Sequence, residues 1–111
     1  MAADIVKSWQ ADIVDTPSTT VPTKIAILRG GESITLKSLA GAADAHFLGP
    51  DNRVSSARGF KLFGRESATL EIPESFGKNN VVEIWAIPTV AGDDVSFFKL
   101  INVEPLTAAS P

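Results

Sequence analysis

A short alternation of apolar and polar residues, repeated between turns, is the feature that most constrains the fold of this chain. In the segment 67–73, Ala68, Leu70 and Ile72 alternate with polar residues. Successive side chains of a strand point to opposite faces, so the pattern predicts a strand with one buried face. Similar segments recur at 23–29, 33–39, 43–49, 81–87 and 95–101. This recurrence predicts an all-β fold, an antiparallel β-sandwich with a jelly-roll-like arrangement.

Two of the predicted strands are apolar on both faces. In 81–87, Ile84 lies on one face and Trp85 on the other, and in 95–101 Phe97 and Phe98 divide in the same way. A sandwich normally keeps the outer face of each sheet polar. Either an arm or a neighbouring subunit covers these strands at the centre of a sheet, or a bulge shifts the phase of the pattern within them.

The first 22 residues differ from the rest of the chain. Ile5, Trp9 and Ile13 recur every fourth residue, a spacing that fits one helix face or one strand face, and the β-branched residues favour a strand. The Thr- and Pro-rich segment 15–22 then reads as an extended linker. We predict that residues 1–22 form an extended N-terminal arm or else the first strand. We also predict that residues 23–111 form a single β-sandwich domain with a short C-terminal tail.

Composition excludes several classes of function. The 111-residue chain contains no cysteine, which excludes disulfides, zinc–thiolate sites and thiol nucleophiles. Its formal net charge of -3 argues against non-specific binding to nucleic acid. The acidic first residues do not resemble a signal peptide, and no apolar segment has the length of a membrane span. We therefore expect neither nucleic acid nor a membrane as a partner.

The sequence shows no pattern typical of an enzyme. His46 is the only histidine, and Asp44 would share its face of a strand, so a Ser-His-Asp triad is formally possible. The Gly-x-Ser-x-Gly turn that presents a nucleophilic serine is missing. We expect His46 to be a structural or solvent-facing residue and the protein not to be an enzyme.

Adjacent Asp or Asn residues in predicted turns are the candidates for metal ligands. Asp51 precedes Asn52, and Asp93 precedes Asp94. Asp and Asn are favoured in turns because their side chains bond to the nearby backbone. A calcium site at these loops stays open as an alternative. We predict no cofactor and no metal.

Between Asn52 and Arg65 the chain carries only basic charge. This segment includes Arg53, Arg58 and Lys61 and contains no acidic residue. Lysine and arginine on an edge strand discourage pairing between molecules. The other interpretation is a basic patch that docks on an acidic protein surface and orients the partner.

One motif occurs twice. The pattern Gly-x-Glu-Ser-x-Thr-Leu spans 30–36 and again 64–70. We interpret it as repeated architecture rather than a repeated chemical site. Glycine would supply a positive φ in a turn. Glutamate and serine would lie on a solvent-facing rim, and the leucine would be buried in the following strand.

The region 45–103 resembles a small β-sandwich module common in structural proteins of tailed bacteriophages. The similarity rests on Leu48-Gly49, the step Gly59-Phe60-Lys61-Leu62, the motif at 64–70, the apolar strand Ile84-Trp85-Ala86-Ile87, the turn at Gly92 and the final strand 95–101. These are patterns of turns and strands, which specify a fold more closely than a role.

The resemblance implies a capsid decoration (cement) protein, a virion subunit that binds the outer capsid surface and stabilises it. Tail, neck or fibre-base components share the module, and a carbohydrate-binding module is a further alternative. The major capsid protein and a homotrimer of the chain itself are the implied partners, with synthesis in the host cytoplasm. The predicted interface residues are Ile5, Trp9, Ile13, Arg53, Arg58, Lys61 and Trp85.

Overall fold

Eight antiparallel strands account for most of the computed structural model, which describes residues 6–103. They are β1 (Val6–Thr16), β2 (Thr23–Arg29), β3 (Ser33–Ser38), β4 (Ala45–Gly49), β5 (Phe60–Phe63), β6 (Ser67–Glu71), β7 (Val81–Pro88) and β8 (Asp93–Val103), with one turn of 3₁₀ helix at Glu74–Phe76. Within this range no helix has the length and apolar character needed to cross a membrane.

The strands form two four-stranded sheets that pack face to face. The first sheet has the order β1-β8-β3-β6, and the second has the order β2-β7-β4-β5. All pairings are antiparallel. The chain passes repeatedly from one sheet to the other, as in a jelly roll. The predicted all-β sandwich is confirmed.

The core lies between the sheets and is built from alternate residues of the central strands. Ile34 and Leu36 of β3 are buried, as the alternation in that segment predicts. Val95 and Phe97 extend this layer from β8, and Ile84 faces them from β7. Burial of one such aliphatic side chain stabilises the folded state by about 1.5–3 kcal/mol.

Strand β2 departs from the predicted alternation. Its pairing with β7 shifts between Lys24 and Ala26, which is a β-bulge. The bulge changes which side chains point inward, so that Ile25 and Leu28 are buried while Ile27 is exposed. Strict alternation in 23–29 would place Ile25 and Ile27 on one face, and this expectation from the sequence was wrong.

Residues 6–16 of the N-terminal segment form the first strand of the sandwich, which is the second of the two alternatives for this segment. Strand β1 pairs with β8 over its whole length, from Val6 opposite Val103 to Thr16 opposite Asp93. Residues 17–22 connect β1 to the second sheet. Ile5 and the predicted C-terminal tail lie outside the described residues.

The two strands that are apolar on both faces are central in their sheets. The register of β8 with β1 and with β3 is continuous, so no bulge explains its pattern. In the second sheet the loop 50–59 folds over the outer face, where buried Val54 packs against Gly49 and Gly59. On the outer face of β8, by contrast, Phe98 remains exposed.

Candidate interaction surface and buried polar network

The repeated motif builds the same turn twice. The Glu32 N–H donates to the Arg29 carbonyl at 3.1 Å, and the Glu66 N–H donates to the Phe63 carbonyl at 3.0 Å. In both turns the glutamate side chain also accepts a hydrogen bond from the first residue of the turn. The distances are 2.8 Å from Arg29 N to Glu32 Oε1 and 3.1 Å from Phe63 N to Glu66 Oε1.

The motif glycines are needed for close approach and not for positive φ. The positive φ falls one residue later, at Gly31 (84°) and Arg65 (69°). A Cβ atom on Gly30 would lie 2.6 Å from the Gly77 nitrogen, and one on Gly64 would lie 2.0 Å from a backbone oxygen. Both distances are far below contact, so neither position accepts a side chain without movement of the backbone.

The two glutamates of the motif have different environments. Glu32 is buried, and its second oxygen accepts a hydrogen bond from Asn102 N at 3.0 Å. Glu66 is exposed, as predicted for the rim of the sandwich. The expectation of a solvent-facing glutamate was therefore wrong for Glu32, because β8 passes beside the first turn and not beside the second.

The two copies of the motif also pair with each other. Strands β3 and β6 are neighbours, with Thr35 directly opposite Thr69. Their hydroxyl oxygens lie 2.9 Å apart on the outer face of the first sheet. The motif thus forms a local, approximately twofold unit that holds the edge strand β6 to the sheet.

His46 lies in a buried polar network that joins the two sheets. The residue is fully buried, with Ser38 Oγ 2.7 Å from Nδ1 and Thr16 Oγ1 3.0 Å from Nε2. The Thr16 hydroxyl donates a hydrogen bond to the carbonyl of Asp93. Burial is the main influence on the imidazole, and it lowers the pKa of His46 below its ordinary value.

These contacts fix the tautomer of His46. Because the Thr16 hydroxyl proton is used by the Asp93 carbonyl, Thr16 accepts from Nε2, which carries the proton. The bare Nδ1 then accepts from the Ser38 hydroxyl, whose oxygen is also reached by the Ala40 N–H at 3.3 Å. Every member has a partner, and Ser38 is itself fully buried. This arrangement is that of a structural histidine.

Asp44 does not complete a catalytic arrangement with His46. Among the described residues the side-chain partners of the ring are Ser38 and Thr16, and Asp44 lies in the turn before β4. Sequence reasoning missed Ser38 and Thr16, because 8 and 30 residues separate them from His46 along the chain.

The outer face of the first sheet carries a strip of exposed apolar side chains. Trp9 and Ile13 of β1 are 64% and 60% exposed, and Phe98 of β8 is 49% exposed. The rings of Trp9 and Phe98 stack with their centroids 5.4 Å apart. Ala11 and Leu100 lie beside them through the pairing of β1 with β8. We call these five residues the apolar strip.

The other half of the same face is polar. Next to β8, strand β3 presents Ser33, Thr35 and Lys37, and β6 adds Ser67 and Thr69. The face is therefore divided lengthwise into the apolar strip and a hydroxyl-rich half. Protein interfaces commonly combine an apolar centre with a polar rim in this way.

On the outer face of the second sheet, lysine side chains of the same chain lie over the aromatic rings. Lys61 Nζ lies 4.6 Å from the ring centre of Phe63, and Lys24 Nζ lies 5.8 Å from that of Trp85. Trp85 Nε1 donates to Glu83 Oε1 at 2.9 Å. That hydrogen bond, with the charge of Lys24, lowers the pKa of Glu83. Trp85 is thus half-buried and held in place.

The predicted basic patch is partly neutralised. Arg53 forms an ion pair with Asp51, with Nη2 and Oδ2 2.9 Å apart. The Arg53 side chain lowers the pKa of Asp51, and the carboxylate raises the pKa of Arg53. Asp51 Oδ1 also accepts from the Arg53 N–H, as expected for an aspartate in a turn. Arg58 remains exposed in the same loop.

The predicted interface residues do not converge on one site. Trp9 and Ile13 lie on the first sheet, Lys61 and Trp85 lie on the second, and the two arginines lie in the loop 50–59. Within residues 6–103 no group of three or more His, Asp or Glu side chains could hold a metal ion.

Comparison of the chain with protein families, with curated proteins and with solved structures finds no match.

Proposed function

We propose that this chain is a non-enzymatic structural protein of a bacteriophage virion, a decoration subunit that binds and stabilises the outer capsid surface. The observation that carries the proposal is the apolar strip, which leaves Trp9, Ile13 and Phe98 in water on one sheet. Contiguous exposed apolar surface is characteristic of protein interaction sites. The resemblance of 45–103 to a phage β-sandwich module supplies the biological setting.

The division of this face suggests how the contact forms. The stacked rings of Trp9 and Phe98 would occupy the dry centre of the interface, where aromatic side chains contribute most of the binding energy. The hydroxyl-rich half formed by β3 and β6 would make the polar rim. Homotrimers would present three such faces at once, so that individually weak contacts combine into avidity on a repeating capsid lattice.

Strand β1 would take part in the contact as a strand of the sandwich and not as a separate arm. Trp9 and Ile13 are presented on a paired strand of the sandwich. Removal of residues 1–15 would therefore delete nearly all of β1 and leave β8 paired only with β3. Loss of capsid binding after that deletion would report unfolding as readily as a lost contact, so point substitutions are the better test.

Two phenylalanines provide a matched test of the face. Phe98 in the apolar strip and Phe63 on the second sheet are each 49% exposed. The assay is co-sedimentation of the purified protein with capsids that lack this subunit. The capsids come from the phage that encodes the protein. Phe98→Ser should weaken binding at least tenfold, which corresponds to about 1.4 kcal/mol. Phe63→Ser should bind as the wild type does, with circular dichroism verifying that both variants are folded.

The opposite pattern would assign the contact to the second sheet and contradict the proposed face. Failure of the wild-type protein to bind capsids at all would contradict the decoration role.

A carbohydrate-binding module is the second candidate, favoured by the same stacked pair. Sugar-binding surfaces use exposed aromatic rings, and Trp9 provides one whereas Trp85 is held by Glu83. A glycan array would show saturable binding that Trp9→Ala abolishes if this candidate is correct. Absence of binding to any glycan would remove it.

A further inference from the structure

The two sheets do not close over each other at the side formed by the edge strands β5 and β6. Phe60 pairs with Leu48 and Leu70 pairs with Ile34, so the alternation points both side chains toward the interior. Yet Phe60 is 62% exposed and Leu70 is 40% exposed. Inward-facing residues of a sandwich are normally buried. Their exposure marks a gap in the core.

That gap is a pocket of about 340 Å³ between the sheets. Leu36, Ala68 and Leu70 line it from the first sheet, and Leu48, Val82 and Ile84 line it from the second. Leu36 and Ile84 are buried members of the main core, so the pocket reaches the centre of the sandwich. Its volume falls within the range of about 300–1,000 Å³ that is typical of ligand sites.

We infer that this pocket binds the aliphatic chain of a small amphiphile. Most of the lining is apolar, including the six aliphatic side chains named above, and Thr69 and Glu83 are its polar residues. This lining matches a hydrocarbon chain that carries a single polar end. A water molecule occupies about 30 Å³ in the liquid and a methylene group is of similar size, so a chain of roughly ten carbons fills the space. The polar end of the ligand lies at the open side, beside Phe60.

This site is separate from the apolar strip. The strip lies on the outer face of the first sheet, whereas the pocket opens between the sheets at β5 and β6. The inference therefore does not depend on the proposed capsid role, and either can fail without the other.

A titration of the full chain with decan-1-ol, followed by methyl NMR, tests the inference. Saturable shifts are expected at the methyl groups of Leu36, Leu48, Val82 and Ile84. Ala68→Phe fills the pocket and should weaken binding at least tenfold. Ala42→Phe, an equal change at an exposed loop position, should leave binding unchanged.

Leu70→Asp provides a second variant if Ala68→Phe does not fold. Its carboxylate would lie at the open side of the pocket, and it should likewise reduce binding at least tenfold. Absent or unsaturable shifts, shifts centred on Ile13 and Leu100, or wild-type affinity in both pocket variants would overturn the inference. So would changes at the pocket methyls that depend only on protein concentration, because these would show that a second copy fills the gap.

Discussion

The buried network around His46 predicts that the protein loses stability in mild acid. The relevant pH range is the one in which a histidine in water gains a proton. In the folded protein, burial lowers the pKa of His46 below its ordinary value of 6.5. In the unfolded chain the same imidazole is in water and keeps a pKa near that value. The unfolded state therefore takes up the proton first as the pH falls. The stability from this group is complete above about pH 6.5 and decreases between 6.5 and the lower folded pKa.

The hydrogen bonds explain why the folded state resists protonation. A proton on Nδ1 would force the Ser38 hydroxyl to turn away from the ring and find another acceptor in a fully buried position. One proton is involved, so the free energy of unfolding should fall by at most about 1.4 kcal/mol per pH unit within this window. His46 is the only histidine, so no other imidazole contributes.

The assay is urea unfolding at a series of pH values, followed by tryptophan fluorescence. The midpoint should stay constant above about pH 7 and move to lower urea as the pH falls toward about 5. His46→Gln, which cannot titrate, should abolish this dependence, and an NMR titration of the His46 ring in the wild type gives the folded pKa directly.

A midpoint that stays constant or rises with acid would refute the reasoning. That result would mean that Asp93 outweighs burial. The buried Oδ2 atom of Asp93 has no hydrogen-bond partner among the described residues, and its charge favours a protonated ring.

The repeated motif yields two further predictions for urea unfolding. Glu32→Ala should lower the free energy of unfolding by about 2–4 kcal/mol because two backbone N–H groups lose a charged acceptor, whereas exposed Glu66→Ala should cost less than about 1 kcal/mol. Equal losses would contradict the different environments of the two turns. Gly64→Ala should cost about 1–3 kcal/mol through backbone displacement, and more than Gly41→Ala, where the added carbon meets only the side chain of Asp44, at 3.2 Å. A smaller cost at Gly64 would show that the turn can move.

Most of the strand pattern was predictable because burial on one face leaves a period of two in the sequence. Ile34 and Leu36 illustrate this, since both are buried as the alternation predicts. The bulge in β2 was not predictable, because the residues at the bulge, Lys24 to Ala26, include no glycine or other turn-forming residue. Short β5 was not identified as a separate strand, since its four residues include only one buried side chain.

The surfaces and the network depend on topology, which the sequence reveals less directly. The spacing of Trp9 and Ile13 predicts a shared apolar face, but the stack of Trp9 on Phe98 requires the register of β1 with β8. The contacts of His46 likewise require three strands to converge. The identical letters of the motif could not show that Asn102 reaches Glu32.

The amount of this chain in purified phage particles tests the proposed function most directly. Quantitative mass spectrometry would compare it with the major coat protein of the same particles. A decoration subunit should occur in a constant stoichiometric ratio to the coat protein, both in complete particles and in tailless heads. Its absence from washed particles, or its restriction to tail fractions in trace amounts, would contradict the proposal.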